Sequence, residues 1–225
     1  MTASVSRESA FATRTLAEIA ATLPGAAGIF RHHKLDFCCG GRATLADAAI
    51  AKGISPNTVA AELDAAAAQI PAPALPESTE DLITLIETRY HAAHRRELPE
   101  LVRLTRRVEA VHKEHANAPH GLAALLETMG RELETHMEKE EAILFPLMRR
   151  GGHPMIAQPI AVLLAEHDDH GACLREMERL THDFTPPADA CPTWRALCTG
   201  CRKFADDLIM HIHTENNILF PRFAG

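Results

Sequence analysis

An eleven-residue phrase occurs twice in this chain, HMEKEEAILFP at 136–146 and HIHTENNILFP at 211–221. Aligned without gaps, both copies read His, three residues, Glu, two residues, then Ile-Leu-Phe-Pro. A His and a Glu four residues apart share one face of a helix, one turn from each other. Two such pairs on two helices can aim two imidazoles and two carboxylates at one point. That is the donor set of a metal site, and its doubling points to a pair of metals.

The surrounding residues put both pairs on apolar helix faces. One stripe runs Leu122, Leu126, Met129, Leu133, His136, Glu140 and Ile143 or Leu144. The other runs Leu197, Cys201, Phe204, Leu208, His211, Glu215, Ile218, again at spacings of three and four. A buried ionised Glu is costly unless it is paired or binds a metal, and packing does not explain the same arrangement twice. A third stretch offers His167 and His170, and a first offers His91 and His94; periodicity does not choose within the first pair. Pro99 is expected to kink that helix. The order of elements favours one set: 136 − 91 gives 45 residues and 211 − 167 gives 44. Each half then reads a helix with one His, a turn, and a helix with His-x3-Glu. Two halves about a pseudo-two-fold supply four imidazoles and two carboxylates, with both Glu bridging. Carboxylate with imidazole suits iron, as in other bundle-core dimetal sites, whereas zinc favours four ligands in a tetrahedron. Glu132, Asp207 and Glu87 each precede a candidate His by four and could orient its ring. Glu166 and His112 are candidates to line an access path.

Composition agrees with an all-α chain. Hydrophobic residues make up 46% and aromatics only 4% of the 225 residues, with abundant Ala, which favours helices over sheets. The net charge of −7 gives no basic face for nucleic acid. No apolar run approaches the roughly 18 residues of a membrane helix, and Arg7, Glu8 and Arg14 interrupt any signal-peptide core. A cytoplasmic protein with reduced cysteines at 38, 39, 173, 191, 198 and 201 is therefore expected. Residues 1–70 read as a small helical module around the turn DFCCGG (36–41). Its helices are expected near 13–22, from Pro24 to about Lys34, after Thr44 with Asp47 completing the cap, and from Pro56. PAPALPEST (71–79) reads as a stiff linker. Residues 80–225 hold four long amphipathic stretches, about 80–115, 121–149, 158–182 and 193–222. The turns between them are short, which predicts an up-down-up-down four-helix bundle.

The bundle with its spaced His and two His-x3-Glu pairs resembles the hemerythrin-like domains. LDFCCGG (35–41), RYHAAHRRELPEL (89–101), the Pro-rich linker and ENNILFPR (215–222) together resemble the repair-of-iron-centres family, from about residue 14 to 223. The resemblance implies a protein with two non-haem irons, tied to repair of iron–sulfur clusters damaged by nitric oxide and oxidative stress. It implies the ligands His91, His136, Glu140, His167, His211 and Glu215, which selects His91 over His94. It also implies Glu where oxygen-carrying hemerythrins have a His-x4-Asp pair and an extra His, and Glu215 does follow His211 by four. Cys38 and Cys39 become candidate reactive thiols that bind a reactive species, gate access or exchange thiols. The implied partners are iron–sulfur proteins with damaged clusters and the small ligands nitric oxide or oxygen, in a monomer or homodimer. Iron donation and nitric oxide reduction are both compatible with these residues. An oxygen- or nitric-oxide-binding sensor is the alternative. Cys198-x-x-Cys201 reads as a pair of core thiols.

Overall fold

The computed structural model describes residues 11–23, 25–68 and 76–223, and among these every regular element is a helix. Pro24 and linker residues 71–75 lie outside the described residues. None of the described helices is long and apolar enough to cross a membrane. The chain divides into two compact units: Met1–Pro76 with Ile212–Arg222, and Glu77–His211 with Phe223–Gly225.

The first unit contains α1 (Leu16–Thr22), α2 (Ala26–His32), α3 (Leu45–Ala51) and α4 (Pro56–Ala67). Three of them, α1, α3 and α4, start where the sequence supplies a cap or a preset dihedral. Thr15 and Glu18 form a reciprocal capping box at α1, Thr44 accepts from the Asp47 amide at α3, and Pro56 opens α4. The apolar faces of these short helices bury Ile19, Phe30, Leu45 and Leu63 completely. Phe37, in the cysteine turn, lies on Phe30 at 5.7 Å and on His213 at 5.4 Å between ring centroids.

The two glycines after the cysteines are dictated by space. A Cβ on Gly41 would stand 2.5 Å from the Phe37 carbonyl, 2.9 Å from the Ala17 Cβ and 3.0 Å from Asn217 Oδ1. On Gly40 it would meet the Asp36 carbonyl at 2.9 Å. Because backbone blocks the space, Gly41→Ala is expected to destabilise this unit by about 1–3 kcal/mol, as overpacking does. Thermal unfolding of the variant checks this; an unchanged midpoint would mean the turn opens freely.

The second unit is a helical bundle. Its first long helix consists of α5 (Thr79–Leu85), a wide π turn π1 (Ile86–His91) and α6 (Ala92–Val111). The next consists of α7 (Leu122–Lys139), π2 (Glu140–Leu144) and α8 (Phe145–Arg149). Then come α9 (Ala157–Leu180) and α10 (Pro192–Thr214), which runs on into π3 (Glu215–Leu219) and a 3-10 turn at Phe220–Phe223. The unit division falls within this last helix. Leu126, Met129, Leu133, Leu163, Met177, Leu197, Phe204 and Leu208 fill the bundle interior. Cys198 and Cys201 are buried with them, and burial raises their thiols to about 11 and about 12.

The first bundle helix runs through Pro99 and carries a wide turn upstream at π1. In the repeated phrase the inward residues are Leu144, one of the two expected at its position, and Leu219 in place of the expected Ile218; Ile143 is 55% exposed and Ile218 half-buried. The π turns explain the correction at Ile218. Phe145 N–H bonds to Glu140 and Phe220 N–H to Glu215, five residues back in each case. One extra residue per turn advances the face by about 100°, so the next residue along points inward. The following Pro146 and Pro221 lack an N–H to restore the normal ladder.

Candidate metal centre

All three π turns carry a sequence-predicted ligand: His91 ends π1, Glu140 begins π2 and Glu215 begins π3. Single π turns inside α-helices recur at functional sites because they turn a side chain out of the regular phase. The six residues His91, His136, Glu140, His167, His211 and Glu215 are all buried.

They form two overlapping groups. His91, Glu140, His211 and Glu215 place one donor atom each within 4.8 Å of one another, and so do His136, Glu140, His167 and Glu215. Glu215 follows His211 by one turn on the same continuous helix. Glu140 serves the two groups through different oxygens: Oε2 lies 3.4 Å from His91 Nε2, and Oε1 lies 3.5 Å from His136 Nε2. Within each group two imidazoles converge nitrogen to nitrogen. His91 Nε2 is 3.1 Å from His211 Nε2, and His136 Nε2 is 3.0 Å from His167 Nε2. Two nitrogens about 2.1 Å from one metal stand about 3.0 Å apart at a right angle and about 3.4 Å apart at a tetrahedral angle. The observed spacings match the right angle of an octahedral site.

A carboxylate orients one ring in each group. His91 Nδ1 donates to Glu141 Oε1 at 2.7 Å, and His136 Nδ1 donates to Glu166 Oε2 at 2.8 Å. Each ring therefore carries its proton on the outer nitrogen and turns the Nε2 lone pair inward. Arg95 holds both oxygens of Glu141, at 2.7 and 3.1 Å, and Lys139 pairs with Glu166. Burial pushes both carboxyls up, but their cationic and imidazole partners outweigh it and hold Glu141 and Glu166 below the usual range. Burial, followed by the neighbouring His91, holds His211 well below the ordinary imidazole value, which keeps it neutral. Tyr90 stacks on His211 at 5.5 Å and Phe145 on His91 at 5.9 Å.

Not every histidine on these faces joins a group. His94 is buried 5.3 Å from the His211 ring, edge-on to Phe204, and enters neither group. Burial drives His170 down to about 4, and it lies against the His136 ring at 5.2 Å, also outside both groups. The expected orienting residues are likewise corrected. Glu87 pairs with Arg149 at 3.0 Å. Asp207 pairs with Arg89 at 2.7 Å and Lys203 at 2.8 Å. Glu132 lines a cleft. Each has a cationic or solvent-facing alternative on the outer face, whereas Glu141 and Glu166 lie opposite the free side of an imidazole.

That cleft, about 350 Å³, is lined by Arg131, Glu132, Lys139, Glu166 and His170 and leads from solvent to the carboxylate behind His136. His112 lies elsewhere, with Nε2 3.3 Å from Cys191 Sγ and its ring on Trp194. Cys38 and Cys39 sit in the first unit, outside both His/Glu groups, with sulfurs 3.7 Å apart and Asp36 beside them.

Residues 83–223 match the family described as Hemerythrin HHE cation binding domain. Residues 12–67 match ScdA_N, described as a domain of unknown function (DUF542). The chain is 46% identical over 221 residues to the iron-sulfur cluster repair protein YtfE of Yersinia pseudotuberculosis serotype IB (strain PB1/+), covering 94% of this chain and 97% of that protein. The YtfE protein of Yersinia pestis (strain Pestoides F) gives the same figures. That of Yersinia pseudotuberculosis serotype O:3 (strain YPIII) is 45% identical over the same shares. The hemerythrin-type domain binds iron, and the buried His/Glu clusters lying within it are fit to hold a metal.

Proposed function

The chain belongs to the family of hemerythrin-type iron–sulfur cluster repair proteins, and from that premise we propose that it repairs iron–sulfur clusters damaged by oxidative and nitrosative stress. The ligands in this reading are His91, His136, Glu140, His167, His211 and Glu215, holding two non-haem irons. The observation that carries it is the sharing of Glu140 and Glu215 by two buried groups, each completed by two imidazoles. Two irons there would supply exchangeable metal, redox equivalents and binding positions for nitric oxide or oxygen.

The chain's own residues do the rest. Glu141 and Glu166 hold the Nδ1 protons of His91 and His136, keeping each Nε2 available. The aromatic faces of Tyr90 and Phe145 cover the rings of His211 and His91 and keep water off them. Glu166 lines the cleft and stands in front of His136, so a small reactant entering there meets a charged group before it meets that imidazole. Cys38 and Cys39 are the reactive thiols of the proposal, none of the six cysteines being joined in a disulfide, as a reducing cytoplasm would keep them. Residues 1–70 then form the thiol-bearing module, 71–79 the linker and 80–225 the iron-binding bundle.

The test is to reconstitute the purified protein with iron, measure metal content, and add it to an iron–sulfur enzyme inactivated by nitric oxide. The expected result is about two irons per chain and recovery of the enzyme. One zinc with no iron overturns the metal assignment. A stable oxygen adduct without any repair overturns the repair reading in favour of a sensor or carrier.

A further inference from the structure

The cysteine turn has the geometry of a second, sulfur-rich site. Cys38 Sγ lies 3.7 Å from Cys39 Sγ and 3.4 Å from Asp36 Oδ1. Two thiolates about 2.3 Å from one tetrahedral cation stand about 3.8 Å apart, and a thiolate and a carboxylate oxygen about 3.6 Å apart. The turn holds its donors close to both spacings.

What holds them there is specific. Asp36 Oδ1 accepts the amide protons of Cys39 at 3.0 Å and Gly40 at 3.1 Å, which closes the turn around the carboxylate. Asn216 and Asn217 each donate a side-chain amide to the Cys38 carbonyl at 3.1 Å. Asn217 also reaches the Phe37 carbonyl at 3.3 Å. Gly40 and Gly41 bring the following backbone in closer than any Cβ would permit. Donors held at the required spacing lose little entropy on binding.

Charge points the same way. Its hydrogen bond with Cys39, then burial and the negative groups beside it, push the Cys38 thiol far above the ordinary range. Ionised together, two thiolates and a carboxylate would repel one another, and a divalent cation would reverse that sign. Cys38 is buried, while Cys39 is half-buried and Asp36 exposed, so a cation can enter and keep a fourth position open.

We propose that Asp36, Cys38 and Cys39 form a binding site for one borderline-soft divalent cation of the ferrous or zinc class. The site goes beyond the repair reading, and its sulfur ligands distinguish it from the nitrogen and oxygen donors of the bundle. Binding displaces the thiol protons to solvent.

The test titrates the reduced, full-length protein with Co²⁺ and follows thiolate-to-cobalt charge-transfer absorption and proton release. The imidazoles and carboxylates of the bundle cannot produce that band, so the readout does not depend on how the bundle is loaded. The expected result is a band saturating at a single equivalent and lost in Cys38→Ser and in Cys39→Ser. Asp36→Asn keeps an oxygen for the Cys39 and Gly40 amides but loses the charge, and should weaken binding by about tenfold or more. Cys191→Ser and Cys173→Ser should leave the band intact. Circular dichroism shows whether each variant keeps its helices, and Cys39→Ser, being half-buried, tests the site even if Cys38→Ser perturbs the fold. Absence of the band in the unaltered protein overturns the proposal, as does its persistence in a folded Cys39→Ser variant.

Discussion

Glu140→Gln is expected to empty both metal positions of the proposed centre, not one. Glu140 is the residue whose two oxygens face an imidazole of each group, at 3.4 and 3.5 Å. The amide keeps the volume but loses the negative charge and half the acceptor capacity. Iron content after reconstitution should fall from about two per chain to well below one. The stabilisation that bound metal confers on the folded state should vanish with it. Without metal the sign should reverse. A fully buried carboxylate is costly in the absence of a cation, so the metal-free variant should unfold at the same temperature as the metal-free parent or higher. Melting curves with and without iron, run beside elemental analysis, check both halves. Two irons retained by the variant would remove Glu140 from the centre.

The second large effect is expected from a residue that belongs to neither group. Glu141→Ala should lower iron affinity by about 10- to 100-fold, the usual consequence of removing the carboxylate behind a ligating imidazole. Glu141 accepts the Nδ1 proton of His91 and is itself gripped by Arg95. Without it the His91 ring is free to change tautomer or rotate, and Nε2 no longer presents its lone pair inward by default. Arg95 would also lose one of its two carboxylate partners, keeping only Glu134 at 3.0 Å. Glu141→Gln should recover part of the affinity, because the amide oxygen still accepts from Nδ1–H. A competition titration against a chelator of known strength measures this. Equal affinity in Glu141→Ala and the parent would reduce Glu141 to a surface ion pair.

The helical architecture and the inward faces were legible because each depends on local periodicity. His136 and Glu140 must share a helix face whatever the rest of the chain does, and the same holds for His211 and Glu215. The cap at Thr44 was legible for the same reason, since a cap is a contact over three residues, and Pro56 because its fixed dihedral opens a helix locally. The prolines at 146 and 221 were a signal for the two wide turns before them, one that a strict 3.6-residue period passes over. No comparable signal marks the wide turn at Ile86–His91, where Ala92 follows and no proline is adjacent.

By itself, then, the sequence determined that two helices each carry an imidazole and a carboxylate into a bundle core, because spacing along a helix sets direction around it. The order of elements and the family resemblance favoured His91 over His94, but only the tertiary structure shows the wide turn π1, which ends on His91, the residue that meets Glu140. Tertiary structure alone decided that Glu141 and Glu166, not Glu87, Asp207 or Glu132, stand behind the imidazoles. Residues on different helices meet at positions set by packing and by competing cations such as Arg149 and Arg89, and no spacing along the chain encodes that. The cysteine turn follows the same division. DFCCGG announces a tight turn, but its reliance on Asn216 and Asn217 arises because residues nearly 180 positions apart pack in one unit.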